Sequence, residues 1–275
     1  MAKKTYSQSA TTIQRWIKEG RGSGRGSAYK PWLTVRDVPS QGRSHRIFGH
    51  KSRRIHHLFS DLELAVFLIL EWQPDILEIR EQFPLQIDVT EKLAATQGIT
   101  HPAVSGKNQI MTSDFLVNSS RSGNPKFVLQ AKYTDDLAKP RVIEKLELER
   151  RYWEQKGIPW FLVTQEDVSQ TVFQNISWLY AAQQDEIPKD DLERRIEFYT
   201  HHFSKDSDIP LVELAKSFDI NYSLPTGASL KEIRYLLAQR FFPFDIRKAN
   251  HKLTPNDLVF SNTEIMLEIS HAQGK

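Results

Sequence analysis

Residues 111–132, MTSDFLVNSSRSGNPKFVLQAK, contain two short apolar segments on either side of a polar turn. The apolar segments are rich in Val, Leu and Phe, and the residues between them are mostly Ser, Gly, Asn and Pro. This pattern predicts two antiparallel strands joined by a hairpin loop. Because side chains alternate along a strand, Gln130 and Lys132 share one face of the second strand. Asp114 in the first strand reaches that face if the register allows, so a carboxylate, an amide and an ammonium would share one patch.

The composition limits the kind of protein that this sequence can encode. The chain has 275 residues, of which 39% are hydrophobic, enough for one large domain or two of ordinary size. No stretch approaches the roughly 18 consecutive apolar residues of a membrane helix, and the N-terminus lacks the apolar segment of a signal peptide. The absence of cysteine excludes disulfides, thiolate metal sites and a cysteine nucleophile. We therefore predict a cytoplasmic protein with no membrane contact.

The net charge of +3 is distributed unevenly along the chain. Residues 1–57 contain 13 Lys and Arg residues against 2 Asp and Glu residues, whereas the rest of the chain is net negative. We interpret the basic segment as a flexible arm that includes a mobile glycine-rich loop at 20–26. Such an arm can bind a polyanion, because each neutralised phosphate releases counterions. A solvated tail explains the same charge equally well, so both interpretations stay open.

Helix and strand patterns surround the hairpin. Ser60 and Glu63 fit a capping box at the start of a helix, and the alternation at 76–83 predicts a strand. A helix is predicted at 141–156, and the wholly apolar run at 160–164 is typical of a strand buried on both faces. The helix has the length of a crossover connection, which makes the last strand parallel to its predecessor. These elements predict an α/β fold with a mixed β-sheet flanked by helices.

After residue 168 the pattern becomes mainly helical. Two helices across a turn precede two short strands, an order that favours a winged helix. These four elements are predicted at 211–218, 230–240, 242–246 and 257–260. We therefore predict a catalytic domain with the basic N-terminal arm over residues 1–168, and a winged-helix-like interaction domain over residues 169–275.

The candidate chemistry depends on oxygen ligands that the fold could bring together. Glu63, Asp114, the amide of Gln130 and a main-chain carbonyl can hold Mg²⁺ or Mn²⁺ and leave coordination positions for water. Lys132 beside such an ion can orient that water, and the whole set suits phosphodiester hydrolysis. Glu63 could instead serve only as a helix cap. Glu149 could also approach the metal, but its charge-rich helix is more often a solvated, salt-bridged face.

The same residues carry a resemblance to known nucleases. Asp114 followed by Gln130, Ala131 and Lys132 resembles the Asp…(Glu/Gln)-x-Lys signature of restriction-endonuclease-like nucleases, and Glu63 matches the acidic residue on a preceding helix. Four linked segments are also similar to the TnsA endonuclease family of two-subunit bacterial transposases. These segments are 56–63 (HHLFSDLE), 79–85 (IREQFPL), 113–117 (SDFLV) and 144–153 (EKLELERRYW).

The resemblance implies a restriction-endonuclease-like fold and an Mg²⁺-dependent endonuclease that cuts double-stranded DNA at the 5′ ends of a transposon. Its implied partners are the DDE-type transposase TnsB, which cuts and joins the 3′ ends, and the ATPase regulator TnsC. Glu63, Asp114 and Lys132 would be the catalytic residues. The metal ligands would be Glu63, Asp114, the carbonyl of Ala131 and Gln130, the last as a ligand or a nearby amide. Because Gln130 replaces the usual acid, we expect weak metal binding and low activity when the chain is alone.

Two other functions remain open from the residues. The chain could be a DNA-binding assembly factor of a transposition complex, without chemistry, or a nuclease directed at RNA. Composition alone favours none of these functions. The joint presence of Glu63, Asp114 and Lys132 favours the enzyme, since a core that had lost its activity would be expected to lose at least one of them.

Overall fold

The computed structural model describes residues 8–38, 42–184 and 188–260. The chain divides into two compact units, Met1–Val168 and Ser169–Lys275. The first seven residues of the predicted basic arm and the last fifteen residues of the predicted C-terminal domain lie outside the described residues. Among the residues that are described, no helix is both long and apolar enough to cross a membrane.

The first unit mixes helices and strands along the chain. In order they are α1 (Ala10–Lys18), β1 (His45–Gly49), β2 (Arg54–Leu58), α2 (Asp61–Trp72), β3 (Ile76–Pro84), α3 (Ile87–Gln97), β4 (Ala103–Val104), β5 (Lys107–Asn108), β6 (Thr112–Ser119), β7 (Lys126–Ala131), α4 (Thr134–Leu137), α5 (Pro140–Gln155) and β8 (Trp160–Val163). The predicted hairpin is confirmed as β6 and β7, and the helices and strands predicted around it are α2, β3, α5 and β8. The hairpin of β1 and β2 lies within the basic segment for which the charge pattern predicts a flexible arm.

A four-stranded mixed sheet lies at the centre of this unit, in the order β3-β6-β7-β8. The first three strands are antiparallel to their neighbours, and β8 is parallel to β7. The prediction of a mixed sheet flanked by helices is therefore confirmed. The prediction that β8 is buried on both faces is wrong, because β8 is an edge strand and Phe161 is 46% exposed. A short apolar run does not by itself separate an edge strand from a central one.

Helices α3 and α5 contribute to an apolar core with the sheet. Leu116 and Val128 of the sheet belong to the same buried cluster as Leu148, Tyr152 and Trp153 of α5. The rings of Tyr152 and Trp153 meet edge to face, with their centroids 5.1 Å apart, a favourable geometry for aromatic pairs. This packing fixes one face of α5 against the sheet.

The N-terminal segment is folded over its described residues and is not a flexible arm. Trp16 of α1 is 1% exposed, and its ring lies edge to face with Trp32 at 5.2 Å. In the loop at 20–26, the guanidinium of Arg21 donates a 2.6 Å hydrogen bond to Asp37. All four glycines of this loop have positive φ, which glycine adopts without strain. The mobile loop that the glycines predicted is therefore wrong, because buried tryptophans anchor the chain on both sides of it.

The second unit is mainly helical, and its helices are α6 (Gln170–Tyr180), α7 (Lys189–Phe203), α8 (Leu211–Asn221) and α9 (Ala228–Ala238). The predicted helix pair is confirmed as α8 and α9. The two strands predicted after it are wrong: among the described residues of this unit, only one antiparallel bridge forms, between Phe244 and Leu258. Pro243 and Pro255 flank this bridge and cannot donate ladder hydrogen bonds, which keeps the pairing short. The winged-helix arrangement is not confirmed.

Candidate active site

Asp114 is held at the junction of three strands. Its backbone N–H donates a 2.9 Å hydrogen bond to Oε1 of Gln130, and its carboxylate accepts one from the backbone N–H of Ala131, also at 2.9 Å. A third contact comes from Nε2 of Gln82 on β3, 3.3 Å from Oδ1. The antiparallel register of β6 and β7 thus brings Asp114, Gln130 and Ala131 together. The side-chain oxygen of Gln130 is engaged with the backbone.

Lys132 directly follows β7 and completes this group. Its Nζ lies 4.0 Å from Oδ2 of Asp114, and its side chain is about one-third exposed. The negative charge of Asp114 raises the pKa of Lys132 and outweighs the opposing effect of burial, with a further contribution from Glu63. Lys132 is therefore a protonated cation that faces the carboxylates.

Glu63 is both a helix cap and a neighbour of Asp114. Its backbone N–H donates to Oγ of Ser60 at 3.0 Å, and its carboxylate accepts from the backbone N–H of Phe59 at 2.9 Å. The predicted cap is therefore present. Burial raises the pKa of Glu63 well above its ordinary value, and the negative charge of Asp114 raises it further. Two buried carboxylates thus lie close enough to repel one another, and Lys132 offsets part of that repulsion.

Glu149 on α5 is buried, which the sequence did not predict. It is 3% exposed, and its Oε1 accepts hydrogen bonds from Oγ of Ser113 at 2.7 Å and Nε1 of Trp160 at 3.0 Å. The expectation of a solvated face is wrong for this residue, although it holds for the nearby pair of Glu147 and Arg150. Burial raises the pKa of Glu149 to about 8, despite the two hydrogen bonds.

A cavity of about 350 Å³ opens beside these side chains, a volume within the range of small-ligand sites. Its polar lining includes Asp114, Gln130, Lys132 and Glu149, whereas Glu63 is not among the lining residues. The other lining residues are Pro102, Ile110, Met111, Thr112, Val142, Lys145 and Leu146. The cavity therefore combines a charged wall with an apolar one.

The possible metal ligands at this site are limited in number. Among the residues that the structure describes, no group of three or more His, Cys, Asp or Glu side chains is placed to hold a metal ion. The donor set predicted from the sequence, Glu63 and Asp114 with amide and main-chain oxygens, contains only two carboxylates, and it stays a prediction.

A further buried carboxylate, which the sequence does not predict, lies under the β1–β2 hairpin. Glu81 is 0% exposed. It accepts hydrogen bonds of 2.7 and 2.5 Å from Arg54, and one of its oxygens lies 2.8 Å from Nδ1 of His56. Burial alone would raise the pKa of Glu81, but the charges and hydrogen bonds of His56 and Arg54 hold it far below its ordinary value. Two residues of the basic segment are therefore internal.

Comparison with known proteins gives matches over both units. The family model described as "TnsA-like endonuclease N terminal" matches residues 73–165, and the model described as "TnsA endonuclease C terminal" matches residues 167–246. Asp114 and Lys132 lie within the first match, and Glu63 precedes it. The chain is also 45% identical over 271 residues to the Transposon Tn7 transposition protein TnsA of Escherichia coli, a match that covers 98% of this chain and 99% of that protein.

Proposed function

This chain belongs to the TnsA family of transposon endonucleases, and we propose that Glu63, Asp114 and Lys132 form its Mg²⁺-dependent catalytic site. The protein is the endonuclease subunit of a heteromeric transposase, and it cuts the 5′ ends of the transposon in cut-and-paste transposition. Its partners are double-stranded DNA, the transposase TnsB and the ATPase TnsC. The observation that supports the site is the pair of buried carboxylates with Lys132 4.0 Å from Asp114.

The residues fit a divalent cation. Glu63 and Asp114 are each only 6% exposed, and the pKa of Glu63 is raised by its burial and then by the negative charge of Asp114, so a bound cation would stabilise both carboxylates. Mg²⁺ prefers carboxylate and carbonyl oxygens, and Mn²⁺ accepts the same ligands. When bound, the ion supplies positive charge to the reacting phosphate and lowers the pKa of a coordinated water.

The protein's own groups position the reaction. Asp114 is fixed by the N–H of Ala131 and by Gln82, so its carboxylate keeps one orientation. Gln130 holds the backbone of Asp114, which supports a positioning role for its amide and leaves the carbonyl of Ala131 as a further ligand. Protonated Lys132 donates a hydrogen bond to the attacking water or to a phosphate oxygen. A positioned charge of this kind stabilises the extra negative charge of the transition state.

The chain alone should cut DNA slowly. Gln130 contributes no negative charge, where related nucleases usually carry an acid, so the site attracts a cation less strongly. Lys132 also neutralises part of the charge of the two carboxylates. The metal affinity that cutting requires is then reached only when DNA phosphates and the partner transposase complete the site.

The basic N-terminal segment contacts DNA through the exposed side of the β1–β2 hairpin. Arg43, Arg46 and Arg53 are exposed, and none of them forms an ion pair with another described residue. Strand β2 ends at Leu58, five residues before Glu63, so the hairpin and the catalytic site are joined by a short connection. Phosphates that neutralise these arginines would release counterions and strengthen DNA binding.

Deletion of residues 1–30 is not a clean test of DNA contact. Trp16 is 1% exposed and Tyr29 is 2% exposed, so both belong to the core of the first unit. Their removal would leave a hole in that core and change the stability of the fold. Substitution of exposed arginines tests the same idea without this effect.

The second unit, Ser169–Lys275, is proposed as the domain that binds the ATPase TnsC. Deletion of residues 169–275 should leave the fold of the first unit intact and abolish binding of TnsC. A truncated protein that still binds TnsC would overturn this division. The predicted compartment is the cytoplasm, where the transposon DNA is available to the enzyme.

The catalytic assignment is tested by 5′-strand cleavage of transposon-end DNA, with Mg²⁺ and TnsB present. We expect Asp114→Ala and Lys132→Ala each to slow cutting by roughly 100- to 1,000-fold or more, the usual cost of losing one positioned electrostatic group. Asp136→Ala is the matched control, because this exposed carboxylate pairs with Lys139 on the surface. Cutting at the normal rate by Asp114→Ala would show that the site is elsewhere.

A further inference from the structure

Lys145 is a second lysine at the cavity, and the chemistry proposed above does not use it. It lies on α5, one helical turn before Glu149, and it lines the same cavity as Lys132 and Asp114. Its side chain is partly exposed, so a substrate that enters the cavity can reach it. The position is therefore open to the substrate and close to the catalytic group.

No carboxylate of the described residues forms an ion pair with Lys145. Within the described residues it forms no hydrogen bond and no ion pair. The pKa of Lys145 is lowered by partial burial of its side chain and then by the positive charges of Arg141 and Lys132. The carboxylate of Glu149, one turn along the helix, forms its hydrogen bonds with Ser113 and Trp160 and none with Lys145.

The two lysines at the ends of the same helix behave differently. Nζ of Lys139, before the first turn, is 2.6 Å from Oδ1 of Asp136. Nζ of Lys156, after the last turn, donates a 2.9 Å hydrogen bond to Gln86 and lies 4.8 Å from the ring centre of Tyr152. Both therefore have structural partners, whereas Lys145 forms no ion pair with another described residue and has the positive charges of Arg141 and Lys132 near it. An anion would therefore complement Lys145.

The chemistry of the cavity indicates which anion this is. A compact ammonium with three donors binds a phosphate oxygen well as a point charge. The catalytic group occupies one part of the cavity, and the apolar side chains of Val142 and Leu146 line another. A DNA strand offers both kinds of group, since it carries phosphates at regular intervals and apolar faces on its sugars and bases.

We propose that Lys145 binds a phosphate of the cut DNA strand next to the scissile phosphate, and so sets which bond lies at the catalytic carboxylates. This proposal rests on the proposed catalytic site, because it places the strand relative to Asp114 and Lys132. Lys145 touches the DNA but takes no part in bond breaking. Its effect on the rate comes from alignment, which is sensitive to small displacements.

The test is single-turnover 5′-strand cleavage of transposon-end DNA, with Mg²⁺ and saturating TnsB. Lys145→Met keeps the length of the side chain and removes its charge, and we expect it to slow cutting by roughly 10- to 100-fold, the usual effect of one hydrogen bond to a charged group. Lys145→Arg should recover most of the rate. Lys139→Met removes a charge from the same helix outside the cavity, and it should cut within about twofold of the normal rate. Thermal melting checks that each variant is folded.

Substrates with a single methylphosphonate, which lacks the phosphate charge, identify the contact. The neutral group is moved along the cut strand, one position at a time. At one position near the cut, it should slow cleavage by the unsubstituted protein but should not slow cleavage by Lys145→Met any further. Such non-additivity is the mark of a direct contact. Normal cutting by Lys145→Met, or equal sensitivity of both proteins at every position, would overturn the proposal.

Asp114→Ala is measured in parallel to separate this proposal from the proposed catalytic site. Normal cutting by Asp114→Ala would mean that the proposed catalytic site has failed. An inactive Asp114→Ala together with a normal Lys145→Met would refute the role of Lys145 alone.

Discussion

Two buried carboxylate clusters occur on neighbouring strands of the first unit, and they differ in how their charge is compensated. Glu81 on β3 is surrounded by Arg54 and His56, and its pKa is held far below the ordinary value. Asp114 on the adjacent strand β6 has Lys132 at 4.0 Å. It lies near Glu63, and both burial and the charge of Asp114 raise the pKa of Glu63. The charge of Glu81 is compensated by Arg54 and His56, whereas Lys132 compensates the charges of Glu63 and Asp114 only in part.

This difference separates a structural role from a functional one. A buried charge that is fully paired ties secondary-structure elements together, and here it fixes the β1–β2 hairpin on the sheet. A buried pair of like charges costs stability, and a protein retains such a pair where the cost serves a function. Both clusters contain buried carboxylates, so burial and negative charge do not distinguish them. The number and closeness of the cations beside each carboxylate do.

The largest expected effect on stability is at the compensated cluster. We expect Glu81→Gln to lower the free energy of unfolding by about 3–5 kcal/mol, because it leaves Arg54 buried without its anion. Urea unfolding measures this loss. Glu147→Gln is the matched control, since Glu147 pairs with Arg150 near the surface, and it should cost less than about 1 kcal/mol. Equal losses in the two variants would remove the structural role of Glu81.

The stabilisation from Glu81 should also depend on pH in a defined direction. Its pKa is lowered in the folded protein, so its contribution is present above the pKa of the unfolded chain, about 4.3, and is lost as the pH falls below that value. The difference in unfolding free energy between the unsubstituted protein and Glu81→Gln should therefore shrink in acid. A difference that stays constant from pH 7 to pH 3 would contradict this assignment.

The under-compensated cluster should respond with the opposite sign. Glu63→Gln keeps a side chain that can cap the helix and removes one of the two repelling charges. We expect the free energy of unfolding to rise by on the order of 1–2 kcal/mol at pH 8 without divalent metal, as is common when a functional site is neutralised. Cleavage by the same variant should be lost. A variant that is less stable than the unsubstituted protein would identify Glu63 as a structural cap.

Glu149 provides an intermediate case with its own dependence on pH. Its pKa is raised to about 8, so the folded protein retains a proton that the unfolded chain loses above about pH 4.3. The unsubstituted protein should then lose stability between about pH 4.3 and 8, and Glu149→Gln should lose less over the same range, because the contribution of Glu63 remains. We expect the difference in unfolding free energy between Glu149→Gln and the unsubstituted protein to change by a few kcal/mol over this pH range in metal-free buffer. A gap that does not change with pH would mean that Glu149 is ionised in the fold.

The smallest effect is expected at the exposed arginines of the hairpin that Glu81 anchors. Replacing Arg43, Arg46 and Arg53 with Gln should reduce the slope of log affinity for DNA against log salt by about 2 to 3, since each phosphate contact contributes about 0.9. Melting temperature should hardly change, because these side chains are exposed. Arg54 belongs to the same basic segment but is bound to the buried Glu81, so a basic residue in this segment does not necessarily face DNA. An unchanged salt slope would exclude this surface from DNA contact.

The sequence predicted the parts of the site that depend on local spacing. Asp114, Gln130 and Lys132 belong to one hairpin, so a register close to ideal was enough to bring them together. Glu63 was found because its cap fixes the start of a helix. Glu149 could have been found from the helix period, since Leu146 and Tyr152 lie three residues away on either side and both are buried.

The sequence could not predict features that depend on distant contacts. Arg54 and His56 lie within a strongly basic stretch, and only their pairing with Glu81, about 25 residues later in the chain, reveals that they are internal. The edge position of β8 depends on the order of strands in the sheet, which an apolar run does not encode. The loop at 20–26 looked mobile from its glycines, but its flanking tryptophans are buried.

The proposed catalytic site depends on a divalent cation that Glu63 and Asp114 bind together. The most direct measurement is Mn²⁺ binding, followed by electron paramagnetic resonance, in the complex with TnsB and transposon-end DNA. We expect the unsubstituted protein and Arg54→Lys, which keeps a positive charge beside Glu81, to bind the ion. Asp114→Asn and Glu63→Gln should each lose that binding. Undiminished Mn²⁺ binding by Asp114→Asn would contradict the account.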